Sequence, residues 1–272
     1  MSVGHAMATS MSVDVSPREG ARVCRQCNGT GWKPTPNKRV TPCDCTVDSR
    51  VSRLLERAEI PARYRSCTLA SYRTGTNAAC ANAKLKAEEF ANLYPMEKKG
   101  LIFVGRPGVG KTHLAIGILR ELVTKKQVLS FFCDYRELLE RIKNSYDPSV
   151  QTSSMEVLRP VFESEVVVLD DLGAVIPTGW VWDTVSLILN RRYKDDRTTI
   201  ITSNFPDGPA AAAATAETDS TSSAAARRAN REQTLGDRIT ERMRSRIHEM
   251  CKVVNLWDLP DFRDSHLSPA LR

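Results

Sequence analysis

An octapeptide, Gly105-Arg106-Pro107-Gly108-Val109-Gly110-Lys111-Thr112, constrains the fold of this chain more than any other feature, because of what flanks it. Residues 101–104 (LIFV) read as a buried strand, and residues 113–123 (HLAIGILRELV) carry apolar side chains at helical spacing. A strand, a glycine-rich turn and a helix N-terminus make a phosphate cradle. Backbone N–H groups converge there and the helix dipole adds partial positive charge. The expected ligand is a nucleotide held by all eight residues of the turn. Lys111 reaches the β- and γ-phosphates and the Thr112 hydroxyl binds Mg²⁺.

The downstream pattern extends this reading. Residues 51–59 and 78–93 read as helices, with Ile60-Pro61-Ala62-Arg63-Tyr64 closing the first. A strand over 128–133 (VLSFFC) leads into a helix over 135–145, and residues 166–169 form an apolar run closed by Asp170 and Asp171. A buried parallel strand that presents carboxylates at its C-terminal end is the Walker B arrangement. In it Asp170 holds Mg²⁺ through water and Asp171 orients the attacking water. The extra strand between the two motifs points to P-loop ATPases that polarise water with an acid, and away from the kinase and GTPase class. A further strand over 198–203 (TTIITS) ends at Asn204. An amide at that tip can hydrogen-bond the attacking water and sense the γ-phosphate, the sensor 1 role.

Residues 235–251 (LGDRITERMRSRIHEMC) read as one helix with Ile239, Met243, Ile247 and Met250 as its apolar stripe. Arg238, Arg242 and Arg246 recur every four residues on a neighbouring face. Such a row is often only a solvated surface. In an oligomeric ATPase it is where an adjacent subunit finds its arginine finger, and Arg246, ahead of Arg242, is assigned that role. Residues 253–256 read as a last strand. The Ala-, Ser- and Thr-rich stretch 206–230 has no apolar period and is expected to be a disordered insertion.

Of eight cysteines, four form two short pairs, Cys24-x₂-Cys27 and Cys43-x-Cys45, with 15 residues between them. Each pair can bite one metal from a turn, and four thiolates would close a tetrahedral shell around structural Zn²⁺. The second pair is tighter than the usual spacing, so unliganded thiols are the alternative. About 30 residues cannot build a core alone, and metal would supply the missing stability. Lys33, Lys38 and Arg39 with Trp32 give the module a face for nucleic acid or protein. Residues 1–20 carry acids and lack an apolar h-region, so they read as a disordered tail, not a leader, and the expected location is a reducing cytoplasm. No apolar run approaches a membrane span. The net charge of +7 is compatible with an acidic partner.

From Ile60 onward the chain resembles the DnaC/IstB-like group of AAA+ ATPases, of the replicative helicase loader type. The residues that carry the resemblance are IPARYRSCTL, GRPGVGKTHLA, VVVLDDLG, RRYKDDRTTIITSN, and ERMRSRIHEMC followed by WDLPDFR. It implies an α/β P-loop core, a five-stranded parallel sheet flanked by helices, with no C-terminal lid. It also implies ATP bound where subunits meet. Position by position, Lys111 and Thr112 match Walker A, Asp170 and Asp171 match Walker B, Asn204 matches sensor 1 and Arg246 matches the finger. Tyr64 would lie against adenine. At Asp171 the family more often has Glu, so this carboxylate reaches one methylene less far.

The expected layout is a tail (1–20), a zinc-binding cysteine module (21–50), a helical linker (51–97), the ATPase core (98–262) and a C-terminal tail (263–272). The expected function is a helicase loader that binds ATP and single-stranded DNA, self-associates through its ATP sites and delivers a hexameric replicative helicase. The alternatives are an IstB-type transposition helper and an assembly switch driven by ATP binding without hydrolysis.

Overall fold

The structure, a computed structural model, describes residues 24–36, 39–147, 149, 151–210, 233–259 and 261–263. The tail 1–20, Lys38, most of the 206–230 stretch and all but the first residue of 263–272 lie outside the described residues. The chain divides into two compact units, residues 1–49 and 50–272.

In the first unit two short strands, β1 (Trp32–Pro34) and β2 (Val40–Pro42), pair antiparallel. The turn before β1 runs through left-handed backbone at Asn28, Gly29 and Gly31, which Asn and Gly accept at low cost. Helix α1 (Asp44–Arg57) follows β2 directly. Lys33 pairs with Asp44 at 2.9 Å and ties the hairpin to the start of that helix.

The second unit is built on a parallel sheet. Its strands are β3 (Gly100–Val104), β4 (Ser130–Asp134), β5 (Val166–Asp170), β6 (Thr198–Ser203) and β7 (Cys251–Asn255), in the order β4-β5-β6-β3-β7. Every residue of β3, β5 and β6 is buried, as expected when helices cover both faces of a parallel sheet. Alternate side chains feed two cores. Leu101, Phe103, Val168 and Ile200 pack with α2 (Ala78–Leu93) and α3 (Lys111–Lys126) on one face. Ile102, Val104, Val167 and Ile201 pack on the other face with α4 (Tyr135–Asn144), α5 (Ser154–Glu163) and α6 (Gly179–Lys194). The fold is the five-stranded α/β architecture expected from the sequence. Ala58, Ile60, Leu69, Tyr72 and Phe90 belong to the same core as α3, so the segment ahead of β3 is packed against the sheet.

The structure starts the first predicted helix at Asp44 instead of residue 51, corrects one further predicted element and adds four, the strands β1 and β2 and the helices α5 and α6. The expected single helix over 235–251 is two helices, α7 (Leu235–Ile239) and α8 (Glu241–Met250). The break is at Thr240, whose φ of 74° is left-handed and costly for a β-branched residue. A capping box between Thr234 and Asp237 sets the start of α7. Helices α5 and α6 did not emerge from the sequence pattern. Among the described residues, no helix is long and apolar enough to cross a membrane.

Candidate functional site

The phosphate loop joins β3 to α3 at the C-terminal edge of the sheet. Gly108 and Gly110 adopt φ of 81° and 88°, which turn the backbone around an open centre. A Cβ on Gly110 would stand 2.7 Å from the Tyr72 ring, so glycine is required there for space as well as conformation. No side chain caps the N-terminus of α3, so its first-turn N–H groups face the loop as donors for an anion.

Lys111 begins α3 and is buried. Its Nζ donates to the carbonyls of Gly105 and Arg106 at 2.8 Å each, and to Asn204 Oδ1 at 2.6 Å. Burial draws its pKa down to about 8, against the pull of the Asp171 and Asp170 carboxylates. A polyanion in the loop would reverse that desolvation penalty. Thr112 Oγ1 donates to Asp170 Oδ1 at 2.8 Å, and Thr202 Oγ1 donates to the same oxygen at 2.6 Å. Burial raises the Asp170 carboxyl to about 6, with the two hydroxyls opposing the shift. A hydroxyl and a carboxylate in contact at the mouth of the loop form a hard-oxygen pair suited to Mg²⁺.

Asp171 follows β5 with a φ of 56°, an uncommon backbone state for a residue with a side chain. Its N–H donates to Thr202 Oγ1 at 2.8 Å, and its carboxylate accepts from the Asn204 amide. Burial raises its pKa and the Lys111 charge opposes that. Lys111, Thr112, Asp170, Asp171, Asn204, Pro107, Gly108 and Gly110 all line one cavity of about 330 Å³. That volume falls in the usual range of small-molecule sites. Tyr64 lines the same cavity.

The arginine row does not join this cavity. Arg246 places its guanidinium over the Tyr193 ring at 4.1 Å, and Arg242 is exposed on α8. Arg238 is buried on α7, donating Nε to the Gly173 carbonyl at 2.7 Å, so the break at Thr240 separates it from the other two. Several cavity residues had escaped the sequence reading. Thr202 and Asp134 line it, as do Arg63 and Arg263. Asp134 ends β4 as Asp170 ends β5, and that repeated strand-end acid was the available signal.

The cysteine pairs meet as expected. The Sγ atoms of Cys24, Cys27, Cys43 and Cys45 all lie within 4.8 Å of one another. Cys24 and Cys43 are 3.8 Å apart and Cys27 and Cys45 are 3.6 Å apart. Tetrahedral zinc with Zn–S of about 2.3 Å requires S···S edges of about 3.8 Å, so the donor set fits that ion. The Gly31 backbone N–H, the leading influence, draws the Cys27 thiol down to about 7, while hydrogen bonding to the neighbouring thiols, Cys27 first, pushes Cys45 up to about 12.

Residues 46–226 match the profile of the family described as IstB-like ATP binding protein. The replicative helicase loader DnaC of Escherichia coli (strain K12) is 26% identical over 156 residues, covering 57% of this chain and 62% of that protein. The chain thus spans about six-tenths of the length of the curated relatives it matches. A crystal structure of the DnaC helicase loader superposes with a TM-score of 0.56 at 31% identity, covering 72% of this chain and 99% of that one. The crystal structure of DnaI gives 0.53 at 27% identity, covering 75% and 94%.

Proposed function

The chain belongs to the family of IstB-like ATP binding proteins, and we propose that within it this protein is an ATP-dependent loader of a replicative helicase. The likeness to the DnaC helicase loader over nearly the whole of that chain carries the reading. In this account ATP occupies the phosphate loop with Lys111 on the β- and γ-phosphates. Mg²⁺ is held by Thr112 and, through water, by Asp170. Asp171 orients the attacking water, and Asn204, bonded to both Lys111 and Asp171, senses whether the γ-phosphate is present. Arg246, with Arg242 behind it, serves a neighbouring subunit's site, which requires turnover per subunit to rise with protein concentration. Single-stranded DNA is gripped by the assembled subunits, with the basic balance of the chain in favour.

The cysteine module, holding one Zn²⁺, captures the helicase. Exposed Trp32 and Val40 on the β1–β2 hairpin offer it an apolar contact. Purified protein should carry one zinc per chain and retain the replicative helicase of its host in the presence of ATP. The double variant Cys24→Ser/Cys27→Ser should lose the zinc and the helicase while binding ATP as before. A zinc-free variant that still retains the helicase would remove the module from partner capture. The family match itself favours a second reading, a transposition helper that applies the same ATPase to target DNA. Failure to retain the helicase in any nucleotide state would favour it.

A further inference from the structure

Residues 205–210, which follow Asn204, are fastened to α7 and α8. The Leu235 N–H donates to the Pro206 carbonyl at 2.8 Å, and the Gly236 N–H to the Gly208 carbonyl at 3.1 Å. A Cβ on Gly236 would stand 2.5 Å from the Ala210 nitrogen, so the approach needs glycine. The charged contacts are on α8. Arg244 Nε donates to Asp207 Oδ1 at 2.8 Å, and Arg244 Nη1 to Glu241 Oε1 at 2.9 Å. His248 Nε2 meets the same Asp207 oxygen at 3.0 Å, and Glu241 Oε2 accepts the Ala210 N–H at 3.2 Å. The Arg244 and Asp207 side chains are only 19% and 16% exposed, so water screens this pair far less than a surface ion pair.

A second tether is on α7. Arg238 donates to the carbonyl of Gly173, just beyond Asp171, and its guanidinium lies 4.5 Å from the centre of the Phe205 ring. The two helices are thus held to the turns that follow Asp171 and Asn204. At about 100° per residue, Arg244 points about 200° around α8 from both Arg242 and Arg246. It faces the segment behind Asn204, while Arg242 is exposed and Arg246 is half-buried over Tyr193 on the other side of the helix. We propose that Asp207 and Arg244 are positioning residues for the arginine finger: their ion pair fixes α8 to the segment behind Asn204, and so sets where Arg242 and Arg246 stand for the neighbouring subunit. The inference rests on the reading of Arg246 as that finger and adds what holds it. The pair acts through the helix, and a misplacement of about 1 Å can cost about a hundredfold in rate.

The test is ATP turnover by Arg244→Leu and Asp207→Asn, alone and mixed with an excess of Asp171→Asn subunits. The last keep the phosphate loop and the finger but lack the water-orienting acid. Alone, each positioning variant should bind ATP within about twofold of wild type and lose about tenfold in kcat with KM little changed. Asp207→Asn keeps the side-chain volume, and ATP binding reports an intact fold in both. Arg244→Lys should recover part of the loss. In the mixture each variant should regain turnover, because its intact ATP site then meets a correctly placed finger from its neighbour. A subunit damaged in its own fold or its own site gains nothing from such a neighbour. Arg246→Ala in the same mixture is the control. Rescue of Arg246→Ala without rescue of Arg244→Leu or Asp207→Asn would confine the ion pair to its own subunit and overturn the proposal. So would wild-type turnover by both variants alone. If Arg246→Ala is neither slowed nor rescued, the finger reading itself fails, and this inference with it.

Discussion

Lys111→Ala is expected to reduce ATP turnover to background and weaken ATP binding by about ten- to a hundredfold, with the fold retained. The ammonium is buried and already held by two loop carbonyls and the Asn204 amide oxygen, so it is pre-positioned and cannot be replaced by a mobile solvent cation. Hydrogen bonds from a charged donor to a charged acceptor are worth about 1.5–3 kcal/mol each, which sets the binding loss. Turnover falls further, since the same charge acts on the phosphoryl group as charge develops on it. Alanine in the first turn of α3 is a good helix former, so unfolding does not follow. The check is steady-state phosphate release together with circular dichroism. Retained turnover in a folded variant would contradict the assignment of the loop.

Arg192 gives the second large effect, on stability. It lies in the last turn of α6 and is fully buried. Its Nη1 donates to the carbonyls of Val161 and Ser164, and its Nη2 to those of Glu165 and Thr198. Its Nε donates to Thr199 Oγ1 at 2.9 Å. One guanidinium therefore joins the end of α5, the turn into β5 and the start of β6. Burial draws its pKa down to about 9, a measure of what this position costs the charge. Arg192→Ala removes the fork, opens a cavity and strands several buried carbonyls, and is expected to cost about 3–5 kcal/mol in urea unfolding. Arg192→Lys keeps the charge but not the fork, and should lose an intermediate amount. A loss under about 1 kcal/mol for the alanine variant would contradict this role. Because β6 carries Thr202 and leads to Asn204, the damage should reach the cavity as well as the fold.

These two arginine and lysine positions show where sequence reading reaches and where it stops. Lys111, Thr112, Asp170 and Asp171 were legible because their neighbours along the chain define them: a buried strand before, a helix after, or an apolar run ending in acids. The strands were legible for the same reason, as β3 and β5 are continuous apolar runs. Arg192 stands in RRYKDD, a mostly charged run, and only the packing of two turns around it makes it a core residue. Thr202 and Asp134 join the cavity through the β4-β5-β6 order, which no local pattern encodes. Arg263 needs the return of the chain over Gly108. Helix α5 was obscured by Pro160 within it, and α6 by a mixed sequence whose apolar residues do not segregate cleanly onto one face. The break at Thr240 runs against the preference of the residue that makes it. The apolar stripe nonetheless survives the break, since Ile239, Met243 and Ile247 are all buried.

The most direct test of the loader reading uses closed circular single-stranded DNA, onto which a hexameric ring can pass only if it is opened. The protein, the replicative helicase of its host and the circle are combined with ATP, and helicase that survives a high-salt wash on the DNA is counted. The account predicts salt-resistant helicase only when wild-type protein and ATP are both present, and none with Lys111→Ala. Equal retention with and without the protein, or with the Lys111→Ala variant, would contradict ATP-dependent loading.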